Sequence, residues 1–373
     1  MEYTKVKLGD ILTSISETIS KEQQTAIFLN TSDISEGKFL HKRSSVVKEL
    51  PGQAKKKIKN GDILFSEIRP KNKRYAVVDV SNPNDYVVST KLMVLRIKDP
   101  SKYYLQYIYQ QLISQKMLHQ INEIAESRSG TFPQITFDAI KNIELTPPPL
   151  EEQKRIADIF TVLDDKIELN NQMNQTLEEI ASLLYKRWFV DFEFPDDKGN
   201  PYKSSGGEMV DSELGMIPKG WEVKELGEVL EISSGNRPVQ KSEEKTKENI
   251  FPIVGASKIM GYTNNYILDD TNEVLIIGRV GTLGIIQEYR EKIWVSDNTL
   301  IIKSNFQNYI KQYLSNVDFY SLNSGSTQPL ITQTTINKLL IVVPCNKVTD
   351  KFEKIESSNV KIKFSNTYEI KKI

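Results

Sequence analysis

Two arginines occupy matching positions in two separate loops. Arg69 follows a strand pattern over 61–68, and Arg279 follows a similar pattern over 272–278. The guanidinium of arginine can donate two parallel hydrogen bonds to the edge of a guanine, or it can bind a phosphate. A surface arginine can equally pair with a nearby carboxylate. The pair is therefore a candidate for contact with nucleic acid, and both interpretations stay open at this point.

Further polar and basic side chains could contact nucleic acid in the same way. Two loops combine glycine with small hydroxyl side chains, which can donate to phosphates, and glutamine can read adenine. Alternatively, each of these two loops is a simple turn with no role in binding. Lysines near Arg69 would bind phosphates without regard to sequence, unless they form a solvated surface run. The candidate DNA-binding residues are Lys55, Lys56, Lys57, Arg69, Lys71, Lys73, Arg74, Arg128, Ser129, Thr131, Arg279, Ser326, Thr327 and Gln328.

The sequence offers little for catalysis. Cys345 is the only cysteine, and His41 and His119 are the only histidines, so a cysteine-based zinc site is excluded. The chain has no G-x-x-x-x-G-K-[ST] phosphate loop, and 147–150 (Pro-Pro-Pro-Leu) lacks the flanking residues of an adenine-methyltransferase motif. The glycines of 278–284 lack the G-x-G-x-x-G spacing. We predict no catalytic residue, no metal site and no cofactor bound by this chain.

Composition and charge indicate a multidomain globular protein. The chain has 373 residues, of which 39% are hydrophobic and 26% charged, and this is too long for one ordinary domain. The net charge is zero, but 1–149 carry 22 basic and 16 acidic side chains (+6), 150–200 carry 6 and 12 (−6), and 201–344 carry 14 and 17 (−3). No apolar run reaches the roughly 18 residues that span a bilayer, and the start lacks a signal stretch. We predict a cytoplasmic protein with no membrane association.

The sequence contains an internal repeat, in which one module occurs twice along the chain. The elements of this module must position the candidate loops. Five features recur in the same order. The matched segments are Leu8–Leu12 with Leu226–Leu230, Gly61–Pro70 with Asn272–Gly281, Val87–Leu95 with Trp294–Ile302, Ser129–Thr136 with Ser324–Thr332, and Ile140–Pro149 with Ile336–Pro344. Strands dominate both modules, with short helices predicted over 103–126 and 309–322.

A long helix is predicted after each module. No proline or glycine interrupts 150–188, and about 39 residues at 1.5 Å each would span roughly 58 Å. Apolar residues recur at steps of three and four, which predicts two stripes that pair antiparallel and bury each other. Alternatively, each helix packs on its own module. The stripe and partner-docking residues are Ile156, Phe160, Leu163, Ile167, Met173, Leu177, Ile180, Leu184, Phe352, Ile355 and Ile362.

Three segments carry a family likeness: 145–156 (Leu-Thr-Pro-Pro-Pro-Leu-Glu-Glu-Gln-Lys-Arg-Ile), 184–192 (Leu-Tyr-Lys-Arg-Trp-Phe-Val-Asp-Phe) and 221–227 (Trp-Glu-Val-Lys-Glu-Leu-Gly). With the order module–helix–module–helix, they make the chain resemble the DNA-specificity subunits of type I restriction–modification systems. The resemblance implies an α+β fold in which two β-rich target-recognition domains are joined by two long antiparallel helices, a coiled-coil-like spacer. The predicted domains are 1–148 and 218–344, the spacer helices 149–192 and 345–373, and a surface linker 193–217.

The resemblance also implies a function and partners. The chain would be a non-catalytic subunit that binds a bipartite site on double-stranded DNA and docks two modification (methyltransferase) subunits and the restriction (translocase and nuclease) subunits. S-adenosylmethionine, and ATP with magnesium, would belong to those partners. Two half-sites need two readers at a fixed distance and helical phase, which a helical spacer supplies.

One departure and one rival interpretation remain. The second helix start, 344–348 (Pro-Cys-Asn-Lys-Val), matches the first poorly, and the distal helix lacks a counterpart of 184–194. The rival is a duplicated β-rich interaction or scaffold protein that does not bind DNA. The −3 charge of 201–344 favours it, and sequence-dependent DNA binding would discriminate the two.

Overall fold

The computed structural model describes residues 4–20, 22–127, 133–269, 274–325 and 328–372. They belong to two compact units, Met1–Asp165 and Lys166–Ile373. Each unit combines small β-sheets with a few helices, so the α+β fold class is confirmed. Helix α5 (Leu150–Tyr185) begins in the first unit and ends in the second.

The first unit is a β-rich module. Its strands are β1 (Val6–Lys7), β2 (Leu12–Ile15), β3 (Thr25–Leu29), β4 (Ile34–Ser35), β5 (Lys38–Phe39), β6 (Ser44–Val46), β7 (Ala54–Lys56), β8 (Ile63–Ser66), β9 (Tyr75–Val77), β10 (Tyr86–Ser89), β11 (Leu92–Ile97) and β12 (Glu144–Leu145). Its helices before α5 are α1 (Leu8–Ile11), α2 (Leu105–Ile113), α3 (Gln115–Glu126) and α4 (Phe137–Ile140).

Two four-stranded sheets form the centre of the first unit. One has the order β6-β3-β10-β7, in which β3 and β10 are parallel, and the other has the antiparallel order β2-β11-β8-β9. Strands β8 and β10 are buried at every position because both of their faces are covered, which explains their nearly unbroken apolar sequences. Side chains of α2 and α3 such as Ile108 and Ile121 pack against Phe65 and Met93 of the second sheet.

The second unit contains the rest of α5 and a second β-rich module. Its strands are β13 (Met209–Val210), β14 (Ile217–Pro218), β15 (Glu222–Glu225), β16 (Glu231–Ser234), β17 (Phe251–Val254), β18 (Ile259–Thr263), β19 (Val274–Gly278), β20 (Ile286–Tyr289), β21 (Trp294–Val295), β22 (Thr299–Lys303) and β23 (Leu340–Val343). Its further helices are α6 (Gln307–Ser315), α7 (Gln333–Asn337) and α8 (Asn346–Lys372).

The two modules share one topology, which confirms the internal repeat. The sheet order β2-β11-β8-β9 corresponds to β16-β22-β19-β20, and the parallel pair β3–β10 corresponds to β17–β21. In both modules a strand near the start pairs with one near the end, as β1–β12 and as β15–β23. A helix follows the central hairpin in each case, α2 and α6. The loops after β8 and β19, which carry Arg69 and Arg279, therefore occupy equivalent places.

Both short-helix predictions were too long. The helix predicted over 103–126 is two helices, because the Ser114 side chain accepts a hydrogen bond from Met117 N and begins α3. The helix predicted over 309–322 is α6, which begins at Gln307 and ends at Ser315. At its end Asn316 Nδ2 donates to Gln312 O over 2.8 Å, which satisfies one of the last carbonyl groups of the helix. The Asp318 carboxylate then accepts from the backbone N–H of Tyr320 in the turn that follows.

The segment predicted as a surface linker, 193–217, is anchored in the core of the second unit. Phe194 is buried and stacks on Tyr202 and Trp221, with ring centroids 4.6 and 5.0 Å away. Its final residue, Ile217, is buried in strand β14. Most other residues of the segment are exposed, as predicted, but aromatic packing fixes its path.

Candidate nucleic-acid interface

The first arginine loop is held in an unusual backbone conformation. Arg69 and Lys73 flank a single 3₁₀ turn, 70–72, and both have φ in the left-handed region, at 47° and 54°. L-residues other than glycine adopt this region rarely and at a cost, and such sites concentrate where function demands them. Arg69 N donates to Pro133 O over 2.9 Å, so this loop is joined to Pro133. The predicted Arg128, Ser129 and Thr131 fall outside the described residues.

Exposed basic side chains occur in this loop and after the hairpin beside it. Lys71 and Lys73 are exposed, and the hairpin β4–β5 lies beside them because Glu36 N donates to Lys73 O over 2.9 Å. The exposed residues Lys42 and Arg43 follow that hairpin, and the sequence analysis did not select them. Their signal was available as the basic run 41–43. We call Lys42, Arg43, Lys71 and Lys73 the first-module basic surface.

Some predicted phosphate contacts are engaged within the protein. The side chain of Lys56 is 13% exposed, and its Nζ donates to Leu92 O over 2.7 Å and lies 4.0 Å from Glu67. Burial lowers the pKa of Lys56, although Glu67 opposes that shift. Lys55 is exposed and Lys57 is half-buried. Arg74 is also half-buried and donates to Thr31 Oγ1 over 3.3 Å. The ammonium of Lys56 therefore bonds within the module and offers little charge to solvent.

The second arginine loop gathers polar side chains from three elements. Arg279 Nη1 donates to Ser234 Oγ over 3.2 Å, and Gln333 Nε2 donates to the same oxygen over 2.9 Å. Ile331 N donates to Arg279 O over 2.9 Å, which joins this loop to the segment after the second Ser-Gly loop. Gln328 is exposed in that segment, whereas Ser326 and Thr327 fall outside the described residues. A guanidinium, a hydroxyl and an amide thus meet at one edge of the module.

A neighbouring loop of the second module, 235–250, escaped the sequence analysis. Gln240 Oε1 accepts from Asn264 Nδ2 over 3.1 Å, and Arg237 lies 3.3 Å from Asp297 with 85% of its side chain exposed. Val239 between them is fully exposed. An apolar side chain presented among amides and a guanidinium suits the edge of a base, where a thymine methyl group adjoins hydrogen-bonding groups. The signal in the sequence was weak, because a polar loop with one valine is typical of any surface.

The seam between α5 and α8 in the second unit is joined in part by polar side chains, and the predicted pairing of apolar stripes stays a prediction. Asn170 Nδ2 donates to Glu369 over 2.9 Å, and Asn366 Nδ2 donates to Asn174 Oδ1 over 2.9 Å. Residue numbers rise on one helix as they fall on the other, so the predicted antiparallel pairing is confirmed. The seam turns amides toward the partner helix, and Asn170 is buried there.

One apolar stripe of α5 faces solvent. Leu169, Met173, Ile180 and Leu183 recur at steps of four, seven and three and are 40–67% exposed. Of the predicted docking residues, Ile156, Leu163, Ile167, Leu177 and Leu184 are half-buried, Phe352 is buried, and Phe160, Met173, Ile180, Ile355 and Ile362 are exposed. Contiguous exposed apolar surface on a helix is typical of a protein interface. We call Leu169, Met173, Ile180 and Leu183 the α5 stripe.

A charged cluster lies where α5 and α8 meet the second module. Lys311 Nζ of α6 is 2.6 Å from Glu288 of β20 and 3.1 Å from Glu178 of α5. Lys363 of α8 also donates to Glu178. Burial alone would raise the pKa of Glu178, but the ammonium groups of Lys311 and Lys363 lower it, so the carboxylate is ionised. The cluster joins two helices of the spacer to the module.

Glu356 beside this cluster predicts a pH-dependent gain in stability. It is buried, and burial raises the pKa of Glu356 despite the hydrogen bond from Asn359. With a raised folded-state pKa, ionisation costs stability. The cost grows as the pH rises from the unfolded value of about 4.3 to the folded-state pKa, is complete above that pKa, and vanishes at lower pH. We expect Glu356→Gln to raise the melting temperature at pH 7.5 by about 1–4 °C and to give no gain at pH 4.

Thermal unfolding at both pH values checks this, with Glu353→Gln as the control on the same helix. The Glu353 carboxylate accepts from Tyr309 N over 2.9 Å and from Asn308 Nδ2 over 2.7 Å. In glutamine an NH2 group replaces one carboxylate oxygen, so one of these two hydrogen bonds loses its acceptor. The control should therefore lower the melting temperature at pH 7.5. Equal shifts at the two pH values for Glu356→Gln would contradict a raised pKa.

Within the described ranges, no group of three or more histidine, cysteine, aspartate and glutamate side chains is placed to hold a metal ion. No helix in the same ranges is long and apolar enough to cross a membrane. The described residues contain two modules of one topology, and each has an arginine loop at the same edge. They also contain a helical pair with an exposed apolar stripe. These features define a class of duplicated, helix-linked binding protein.

Comparison with known proteins identifies the family. The family described as "Type I restriction modification DNA specificity domain" matches residues 1–179 and 218–353. The HindI specificity subunit of Haemophilus influenzae is 32% identical, with 100% of this chain and 96% of that protein covered. The MjaIX specificity subunit of Methanocaldococcus jannaschii is 28% identical over 67% of this chain and 61% of that protein. The S subunit from M. genitalium shares the fold, with a TM-score of 0.59 and 16% identity over 99% of this chain and 92% of that one.

The chain belongs to the DNA-specificity subunits of type I restriction–modification systems. Members of this family are recognition subunits of a larger enzyme and carry no catalytic centre of their own. The resemblance carried by 145–156, 184–192 and 221–227 is thereby confirmed.

Proposed function

We propose that this chain selects a bipartite site on double-stranded DNA, with each module reading one half. The observation that carries the proposal is the equivalent placement of Arg69 and Arg279, each in the loop after the same strand of the same sheet. Two copies of one reader on one chain suit two half-sites separated by a fixed spacer. The rival scaffold interpretation gives no reason for arginine at both positions.

The two modules would bind DNA in different ways. The first-module basic surface binds phosphates of its half-site, which adds affinity without sequence information. The second module, with its net negative charge, relies on local hydrogen bonding from Arg279, Gln333 and the Arg237–Gln240 loop. Lys56 plays no part in this contact, since its ammonium bonds within the protein.

Docking of the modification subunit would use the α5 stripe. Its leucines, isoleucine and methionine are apolar, and the buried centre of a protein interface is more apolar than the rest of a protein surface. We propose two modification subunits per chain, with restriction subunits joining the same complex. S-adenosylmethionine, and ATP with magnesium, would be bound by those subunits and not by this chain. The cytoplasmic location stays a prediction.

Selection of DNA from a random library tests this function. The complex of this chain with its modification subunit is incubated with randomised duplexes, and bound DNA is sequenced over several rounds. The expected result is enrichment of one split motif with a constant spacer. Binding without any enriched sequence, or no DNA binding at all, would favour the scaffold interpretation.

The first-module basic surface predicts a change in salt dependence. Each phosphate contact adds about 0.9 to the slope of log affinity against log salt concentration. We expect Lys42→Ala combined with Lys71→Ala to lower that slope by about 2 and to weaken all sequences alike. Binding titrations between 50 and 200 mM salt measure this. Lys102→Ala, which removes a lysine paired with Asp99, is the control and should leave the slope unchanged.

A further inference from the structure

The side chain of Arg279 reaches across the edge of its sheet. Strand β22 lies between β16, which ends at Ser234, and β19, which ends at Gly278 just before Arg279. The register pairs Ser234 with Leu300 of β22, and it pairs Leu300 with Ile277 of β19. Neighbouring strands lie about 4.8 Å apart, so the backbones of β16 and β19 are separated by roughly 10 Å. Arg279 Nη1 donates to Ser234 Oγ over 3.2 Å, so the arginine extends over the start of β22.

The backbone that carries this side chain is fixed on both sides. Arg279 N donates to Asn298 O over 3.0 Å, and Ile331 N donates to Arg279 O over 2.9 Å. The preceding residue, Gly278, packs so closely that a Cβ there would lie 2.6 Å from Ala256 O. The remaining freedom of Arg279 is therefore the rotation of its long side chain.

Ser234 is the anchor of that side chain. Arg279 Nε is buried and has no hydrogen-bond partner in the part of the chain that the structure describes. Among the same residues, the bond to Ser234 Oγ is the one hydrogen bond that the guanidinium makes. Gln333 Nε2 donates to the same oxygen over 2.9 Å, so both lone pairs of the hydroxyl are engaged and the serine side chain is itself held. Removal of this hydroxyl would leave the guanidinium without an orienting contact.

An arginine discriminates between bases only when its guanidinium is oriented. Guanine presents O6 and N7 side by side in the major groove, and the planar fork of arginine can donate to both atoms at once. One hydrogen on Nη1 of Arg279 is engaged by Ser234, and the second hydrogen on Nη1 and both hydrogens on Nη2 remain for a ligand. A guanidinium that rotates freely can also donate to phosphates, which adds affinity without sequence information.

We propose that Ser234 is a positioning residue, which holds the Arg279 guanidinium in the orientation that distinguishes guanine from the other bases. The proposal rests on the proposed function, since it presupposes that Arg279 reads DNA. Gln333 supports this role by fixing the serine hydroxyl from the first turn of α7. Ser234 acts through the arginine, so its effect should vanish when the arginine is absent.

Competition binding by the complete complex tests the proposal. The duplexes carry each of the four base pairs in turn at the position whose identity ceases to matter in Arg279→Ala. We expect Ser234→Ala to reduce the preference for guanine at that position by about tenfold. Ser234→Thr keeps the hydroxyl and should preserve the preference within about threefold. In the Arg279→Ala background, Ser234→Ala should change affinity by less than about twofold.

Ser233→Ala is the matched control. It removes an exposed hydroxyl one residue earlier in β16, and successive side chains of a strand point to opposite faces of the sheet. The control should keep the base preference of the wild type. Ser234 is also exposed, so the melting temperatures of Ser234→Ala and Ser233→Ala should agree.

Three outcomes overturn the proposal. The first is an unchanged guanine preference in Ser234→Ala. The second is an equal loss of affinity for all four base pairs with a lower melting temperature, which would mark a merely structural serine. The third is the same loss of affinity with and without Arg279, which would mark a direct contact between Ser234 and DNA. A wild-type complex with no base preference in either half-site would instead contradict the proposed function.

Discussion

Leu169→Glu combined with Leu183→Glu should abolish assembly with the modification subunit while this chain stays folded. Both leucines are more than half exposed, at 53% and 67%, so neither supports the core. In the complex each would lose about 1.5–3 kcal/mol of apolar burial and leave a carboxylate without a partner. Together these costs correspond to a loss of affinity of more than about a thousandfold.

Co-purification and analytical ultracentrifugation measure the effect. Asn171→Glu combined with Ser182→Glu is the matched control, because it adds the same two charges to exposed positions on another face of the same helix. The control should assemble normally. Full assembly of the leucine variant would contradict the assignment of the α5 stripe as the docking surface, and loss of assembly by both variants would point to charge alone.

Arg279→Ala should weaken recognition of one half-site and leave the other intact. An arginine that reads a guanine contributes about 1–3 kcal/mol of discrimination, so affinity for the natural site should fall about 10- to 100-fold. Arg69→Ala should affect the other half in the same manner. The reason is the repeated topology, which gives each module its own arginine loop.

A double-mutant cycle between protein and DNA measures this effect. In the Arg279→Ala complex, scrambling the half-site that this arginine reads should cost little further affinity, whereas scrambling the other half should cost as much as in the wild type. Lys303→Ala at the far end of β22 is the control and should behave as the wild type. An equal loss for both halves would contradict modular recognition.

The architecture was predictable because its signals are local and repeated. The strand pattern before Arg69 recurs before Arg279, and the uninterrupted stretch from Leu150 gives the 36-residue helix α5. Proline and glycine mark the boundaries of both modules, so their order could be deduced without any knowledge of contacts.

The contacts between α5 and α8 and the docking surface were harder to predict from the sequence. Periodicity shows that α5 has an apolar stripe, but not whether a second helix or solvent covers it. The structure places Asn170 and Asn174 against α8 and leaves Leu169 and Leu183 outside. Which amide side chains hydrogen-bond across the seam depends on the register of the two helices. A sequence pattern does not give that register, so it does not predict these hydrogen bonds.

The candidate DNA-binding residues likewise include some that the sequence predicts and some that it does not. A run of lysines predicts a basic surface, yet Lys56 turns inward to Leu92 O, and Lys42 and Arg43 join the surface through a hairpin contact. Loop 235–250 has no motif at all. Which member of a basic run is exposed depends on strand pairing far along the chain, and that pairing follows from the fold alone.

Genome-wide mapping of adenine methylation, in cells that carry the modification subunit with and without this chain, tests the central claim most directly. We predict one split motif that is methylated only when this chain is present and that loses methylation with Arg279→Ala. Methylation of the same motif without this chain, or no split motif with it, would contradict its role as the subunit that selects the DNA site.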